Sequence, residues 1–225
     1  MSIQENIRKV QQNIADACKK CGREPSEVML LAVTKNHTPE EINQVVESGI
    51  TNLGENRVQE LMSKYDLIQG DVNWHLIGHL QKNKVKYIAD KVVMIHSVES
   101  VSLVEEINKQ CGKLGKVMDI LVEINVSGEE SKHGISPADA DEFIQSVAQF
   151  PYVKVRGLMT MAPKYAENEQ IRDIFAQLYK IGVDIQSKKY DNISIDYLSM
   201  GMSNDYMIAI GEGSDIVRVG SALFV

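Results

Sequence analysis

Lys35 follows directly on the apolar run Val28-Met-Leu-Leu-Ala-Val-Thr34 and stands just ahead of Thr38-Pro39-Glu40-Glu41, which carries the marks of a helix start. The run reads as a buried strand with a lysine at its exit. A desolvated ammonium loses hydration that an apolar strand end cannot replace, so an amine held there is neutralised, paired or used in chemistry. A Schiff base with an aldehyde is the chemistry such a lysine performs. The plainer reading, a lysine that marks the strand exit and reaches into water, stands beside it. The other apolar runs end in polar and small residues too. They close on Asn56 and Arg57, on His75 and His79, on Glu123 and Asn125, on Thr160, on Ser199 to Asp205, and on Arg218-Val-Gly-Ser221. In the last two, glycines with Ser203 and Ser221 offer backbone N–H groups and hydroxyls suited to a phosphate.

The elements that must carry these residues repeat in kind. Runs rich in Val, Ile and Leu fall near 28–34, 50–54, 72–78, 92–98, 118–126, 153–161, 195–201 and 215–224, which makes eight candidate strands. Helical segments lie between them. Thr38 to Glu41 is a capping box with Pro39 at the first helical position, Gly49 is a C-terminal stop, and Ser136-Pro137-Ala138-Asp139 is expected to open another helix. Strands apolar on both faces that alternate with helices indicate a parallel sheet covered by helices, and eight such units favour closure. The expected fold is α/β, a single (β/α)8 TIM-like barrel. A helix over residues 2–21, capped by Ser2 and Glu5, should fill the outer-ring position left by a last strand, Ile216 to Phe224, that has no helix after it. No linker or composition shift divides the chain, so one domain is expected over residues 1–225, and with the eighth strand running into Val225 no C-terminal β domain is expected.

Composition narrows the function classes. The 225 residues are 44% apolar and carry a net charge of -7, which argues against nucleic-acid binding, because phosphate contacts need clustered Lys and Arg. Neither a signal core nor a membrane-length apolar stretch is present, so a cytoplasmic protein with no membrane partner is expected. Cys18, Cys21 and Cys111 make no disulfide framework. Cys18 and Cys21 fall on the helix face of Ile7, Val10 and Ile14 and lack the further ligands of a zinc site, so no metal is assigned.

An aldehyde-reactive lysine opposite a phosphate cup points to pyridoxal phosphate (PLP). The segments Leu30-Leu-Ala-Val-Thr-Lys35, Asn52-Leu-Gly-Glu-Asn-Arg57, Trp74-His-Leu-Ile-Gly-His-Leu-Gln81, Arg156-Gly-Leu-Met-Thr-Met161, Leu198-Ser-Met-Gly-Met-Ser203 with Asp205, and Val217-Arg-Val-Gly-Ser221 together resemble the pyridoxal phosphate homeostasis protein family. That family in turn resembles the barrel domain of fold-type III PLP proteins such as alanine racemase. The resemblance implies that Lys35 holds PLP as a Schiff base, that Ser203, Gly220 and Ser221 surround the phosphate, and that Arg218 faces the pyridine nitrogen. Asn56, His79 and Met200 match positions lining the ring, although His79 and Met200 also fit ordinary core roles. His37 stands where many relatives have a small or basic residue.

Two function classes compete. One is a non-catalytic protein of intracellular PLP homeostasis, a monomer that holds the cofactor reversibly and passes it to apo PLP-dependent enzymes. The other is a fold-type III enzyme, an amino-acid racemase, which needs acid/base groups on both faces of the substrate α-carbon. An arginine at the pyridine nitrogen weakens the ring as an electron sink and favours the first.

Overall fold

The computed structural model describes residues 2–129 and 132–225. The elements in order are α1 (Ile3–Cys21), β1 (Met29–Val33), α2 (Pro39–Glu47), β2 (Asn52–Glu55), α3 (Val58–Lys64), β3 (Asn73–Leu76), α4 (Val85–Ile88) and β4 (Val92–Val98). They continue with α5 (Val101–Leu114), β5 (Met118–Glu123), α6 (Ala140–Val147), β6 (Val153–Met159), α7 (Asn168–Ser187), β7 (Ile193–Met202), α8 (Tyr206–Gly211), β8 (Ile216–Val219) and α9 (Ser221–Phe224). All eight strands pair in parallel in sequence order, and β1 pairs with β8 to close the barrel. Among the described residues no helix is long and apolar enough to cross a membrane.

Local signals explain most boundaries. Ser2 and Glu5 cap α1 reciprocally, and Gly22 ends it in the left-handed region at φ 73°. Thr38 and Glu41 do the same for α2, with Pro39 in the first turn. Two expectations need correction. The helix foreseen at Ser136 starts only at Ala140, because Ser136 Oγ bonds both the Asp139 carboxylate (2.6 Å) and the Asp139 N–H (3.3 Å) in a separate turn. The last apolar run is not one strand either. It breaks at Gly220 (φ -119°, ψ -85°), and the short helix α9 follows. Helix α1 packs on α8 and α9, and its buried Asn6 donates to the carbonyls of Leu223 (3.2 Å) and Val225 (3.1 Å), tying the two chain ends together.

The apolar residues divide by strand alternation. Leu31, Val33, Ile77, Met94, Leu121, Met159 and Ile216 form one cluster that includes no helix residue, so it fills the barrel. The larger cluster joins the opposite strand faces, such as Ala32, Leu53 and Val217, to the helices. Among the inward positions, His75, His96, Glu123, Ser199 and Arg218 are buried polar residues. The barrel therefore has a polar layer at its C-terminal end.

Candidate functional site

Lys35 lies two residues beyond Val33, in the turn that follows β1. The strand end is held tightly. Thr34 N–H donates to the Gly54 carbonyl (3.0 Å), the Thr34 carbonyl accepts from His37 N–H (3.2 Å), and Asn36 turns at φ 64° with its N–H on Glu60. The lysine itself is exposed, and no carboxylate lies within ion-pair distance of it among the described residues. This corrects the desolvation argument: the amine is available because it is unpaired, not because it is buried.

The register of β1 and β8 sets Leu31 opposite Arg218 and Ala32 opposite Val219. Gly220 consequently falls against Val33, where an added Cβ would sit 3.2 Å from the Val33 Cβ and 3.3 Å from its carbonyl oxygen. Ser203 Oγ accepts from the N–H groups of Gly220 (3.2 Å) and Ala222 (3.3 Å), and Ser221 is exposed beside them. Ser203, Gly220 and Ser221 are thus one group, adjoining the strand that leads to Lys35. His37 stacks on Phe224 with ring centroids 3.6 Å apart, so α9 is pinned to the loop that follows Lys35.

Arg218 is fully enclosed below them. Its guanidinium donates to Ser199 Oγ (2.6 Å) and to the Thr160 carbonyl (2.9 Å), and burial lowers its pKa to about 10, which leaves it charged at neutral pH. From Ser199 a chain of polar groups continues down the barrel: His96 Nδ1 lies 3.0 Å from Ser199 Oγ, and His96 Nε2 lies 3.0 Å from His75 Nδ1. Burial holds both imidazoles neutral, lowering His75 to about 4 and His96 well below its ordinary value. Glu123 shares the layer. Burial, with the nearby Glu99 charge, raises its carboxyl to about 7, while Arg218 opposes the shift.

The three remaining positions separate. Asn56 Oδ1 is buried without a hydrogen-bond partner, and the close passage of Gly78 over the Asn56 backbone leaves no room for a Cβ there. His79 stands at the rim, with Nδ1 2.9 Å from Glu99 and its ring stacked on His133. Met200 is fully buried in the cluster between strands and helices, on the face opposite Ser199, and its carbonyl accepts from Ser214 Oγ (2.7 Å). Its side chain faces away from the barrel interior.

Several residues escaped the sequence reading. Lys64 is buried and donates to Glu55 (2.8 Å), to Glu60 (2.7 Å) and to the Thr34 carbonyl (2.7 Å), directly before Lys35. Its spacing from Glu60 is that of a surface helix pair, and only the inward tilt of α3 buries it. In the His75, His96 and Ser199 chain, His75 and His96 lie on the paired strands β3 and β4, while His96 and Ser199 meet across the barrel from β4 to β7. In the loop over 127–134, Asn125 accepts from Gly128 N–H (3.1 Å) and donates to the Glu129 carbonyl (2.9 Å). Glu130 and Ser131 of that loop lie outside the described residues.

Comparison with known proteins adds to this geometry. The family model of the alanine racemase N-terminal domain matches residues 5–225. A protein of Aquifex aeolicus named pyridoxal phosphate homeostasis protein is 41% identical over 225 residues, covering 100% of this chain and 98% of its own. The structure of PipY from Synechococcus elongatus with PLP bound superposes at a TM-score of 0.83 with 32% identity, over 94% of this chain and 100% of that one. Alanine racemase of Clostridium difficile, at 15% identity and a TM-score of 0.78, shares the fold over 97% of this chain and 56% of its own.

Proposed function

The chain belongs to the pyridoxal phosphate homeostasis protein family, and from that membership we propose that it is a PLP-binding protein of intracellular PLP homeostasis. In this reading residues 1–225 form one cytoplasmic, monomeric PLP-binding barrel domain. It holds the cofactor reversibly, without catalytic turnover, and releases it to apo PLP-dependent enzymes. The observation that carries the proposal is the juxtaposition of the unpaired Lys35 with the Ser203, Gly220 and Ser221 group across the Val33 contact.

The residues present fit the cofactor. Asn56 Oδ1 is a buried acceptor with no partner, which a ligand hydroxyl can satisfy. If bound, PLP would supply an electrophilic aldehyde, and Lys35 Nζ is the amine this reading assigns to hold it. Gly220 and Ala222 N–H groups, with the Ser203 and Ser221 hydroxyls, hold the phosphate. Arg218 keeps its proton, so it donates a hydrogen bond to the ring nitrogen without acting as an acid. The neutral His96 fixes Ser199, and Ser199 fixes the guanidinium.

The test is the absorbance of the purified protein before and after borohydride reduction, followed by peptide mapping. A yellow protein whose reduced cofactor is recovered on Lys35, with the colour lost in Lys35→Ala, is the expected result. Recovery on Lys82 or Lys132 with Lys35 unmodified overturns the assignment.

Glu123 favours a second reading, a racemase-like enzyme, since a carboxyl near pH 7 can exchange protons at neutral pH. Exchange of the amino-acid α-hydrogen in heavy water separates the two. Multiple turnovers of exchange, lost in both Lys35→Ala and Glu123→Gln, mark a catalyst; their absence, with transfer of PLP to an apo-enzyme, marks a carrier.

A further inference from the structure

Three ligand-type side chains converge at the rim from segments far apart in sequence. His79 follows β3, Glu99 follows β4, and His133 lies in the loop after β5. One donor atom from each lies within 4.8 Å of the other two. Both histidines address the same carboxylate oxygen: Glu99 Oε1 is 2.9 Å from His79 Nδ1 and 3.3 Å from His133 Nδ1. The two imidazoles stack at 4.4 Å between centroids with 21° between planes, and each keeps its Nδ1 within reach of that oxygen.

These separations suit coordination. Around a tetrahedral ion with bonds of about 2.0–2.2 Å, ligand atoms lie about 3.3–3.5 Å apart; the His133 Nδ1 to Oε1 distance of 3.3 Å meets that range, and the 2.9 Å hydrogen bond from His79 must lengthen by about 0.4 Å to admit the ion.

The cluster is also held in place as metal sites are. The second oxygen of Glu99 accepts the Gly134 N–H at 2.7 Å, fixing the plane of the carboxylate. Gly134 (φ 112°) lies where a Cβ would meet the backbone of Ile124 and Asn125. Beyond it, Ile135 bridges the continuation of β5, donating to the Glu123 carbonyl (2.8 Å) and accepting from Asn125 N–H (2.9 Å). His133 is thereby anchored from its C-terminal side to the barrel frame. The side chains of His79 and His133 are 46% and 57% exposed and that of Glu99 17%, which leaves an open side for water or a fourth ligand.

We propose that His79 Nδ1, Glu99 Oε1 and His133 Nδ1 form a site for a borderline divalent transition-metal ion of the zinc class, with at least one coordination position open to solvent. Two imidazoles and one carboxylate select such ions over calcium or magnesium, which prefer an all-oxygen shell. The ion replaces two hydrogen bonds to a single oxygen with three coordinate bonds, and it links the segments after β3, β4 and β5 into one rim. His79 is also one of the positions that the resemblance sets along the PLP ring, so the variants are placed at Glu99 and His133, which belong to no part of the proposed cofactor contacts.

The test uses the full chain without an affinity tag. Zn2+ titration calorimetry and the visible ligand-field spectrum of Co2+ are measured on the cofactor-free protein, and PLP absorbance is measured in parallel. One ion per chain is expected, with affinity reduced by more than about tenfold in His133→Ala and in Glu99→Gln. Cys21→Ser, which alters the exposed thiol, should bind like the parent. Far-UV circular dichroism establishes that each variant is folded. Retention of PLP absorbance by His133→Ala, and retention of the metal site by Lys35→Ala, let the two proposals fail separately. Absence of saturable one-ion binding overturns the site, and so does binding unchanged in His133→Ala.

Discussion

Replacing Lys64 by methionine removes a buried ammonium while keeping the bulk of its side chain. Lys64 is 8% exposed and Glu55 is fully buried, and the ammonium donates to Glu55, to Glu60 and to the Thr34 carbonyl. Methionine would leave the Glu55 carboxylate with only the Thr34 hydroxyl, 2.6 Å away, and Glu55 Oε2 is already without a partner. Removing one member of a buried pair costs about 3–5 kcal/mol, which for a chain of this size lowers Tm by about 6–20 °C. The loss has a definite pH dependence. Burial raises the Glu55 carboxyl above its ordinary 4.5 even with Lys64 present, and the Lys64 hydrogen bond is the foremost influence opposing that rise. Without Lys64 the folded-state value climbs further. An acid whose folded pKa exceeds its unfolded pKa binds its proton more tightly when folded. Its favourable contribution is therefore complete below 4.5 and is lost as pH rises through the folded value. Equilibrium urea unfolding followed by circular dichroism should show the gap between parent and Lys64→Met widest near about pH 8 and narrowed near about pH 5. The double variant Glu55→Gln with Lys64→Met should recover part of the loss, since the orphaned charge is gone. A cost below about 1 kcal/mol at the higher pH, or a gap that does not narrow, refutes the reasoning.

Three further outcomes follow from the same geometry. If Ser203 and Ser221 hold a phosphate, pyridoxal binds far more weakly than PLP, and Ser221→Asp weakens PLP by more than about tenfold through like-charge repulsion; equal affinities in a fluorescence titration defeat the assignment. His75 and His96 are held neutral, so below the unfolded value of 6.5 the unfolded chain binds more protons, and stability is lost as pH falls toward the folded values. For His75 the change from 6.5 to about 4 corresponds to about 3 kcal/mol, so a parent that loses no more stability than His75→Phe between about pH 7 and about pH 5 contradicts it, the raised Glu55 and Glu123 being common to both proteins. Gly157→Ala drives a Cβ into the Tyr197 carbonyl across β6 and β7, which should cost about 3 kcal/mol or more; a thermal midpoint within error of the parent shows that the strands separate without strain.

The barrel was legible because its strands are continuous apolar runs and its helices carry their own punctuation. Within β1 alternation then divides the residues, Leu31 and Val33 into the barrel and Ala32 toward the helices. What parity cannot deliver is the partner of an inward residue. His75 and His96 are 21 residues apart and meet through the register of β3 on β4, whereas Ser199 is 103 from His96 and meets it only once the barrel has closed with its particular stagger. The eighth strand was read too long for a related reason. Ala222, Leu223 and Phe224 continue the apolar run, and the bend at Gly220 that starts α9 leaves no mark in composition. Met200 shows the converse: a resemblance put it at the ring, while alternation from the inward Ser199 turns it outward.

Lys35 was placed correctly at a strand end, on a physical argument that the structure reverses. The residue is exposed, so the desolvation invoked for it is not there. Two carboxylates bond the residues on either side of Lys35, Glu55 at Thr34 and Glu60 at Asn36, and both are placed to compete for the amine. Lys64 takes both, together with the Thr34 carbonyl. A second lysine, buried on α3, thereby neutralises the local acids and fixes the backbone one residue before Lys35. The exposed amine is left unpaired on a rigid strand end, which is the state in which it can meet an aldehyde. On this argument Lys64→Met should weaken PLP binding as well as stability, because Glu60 and Glu55 would then compete for Lys35.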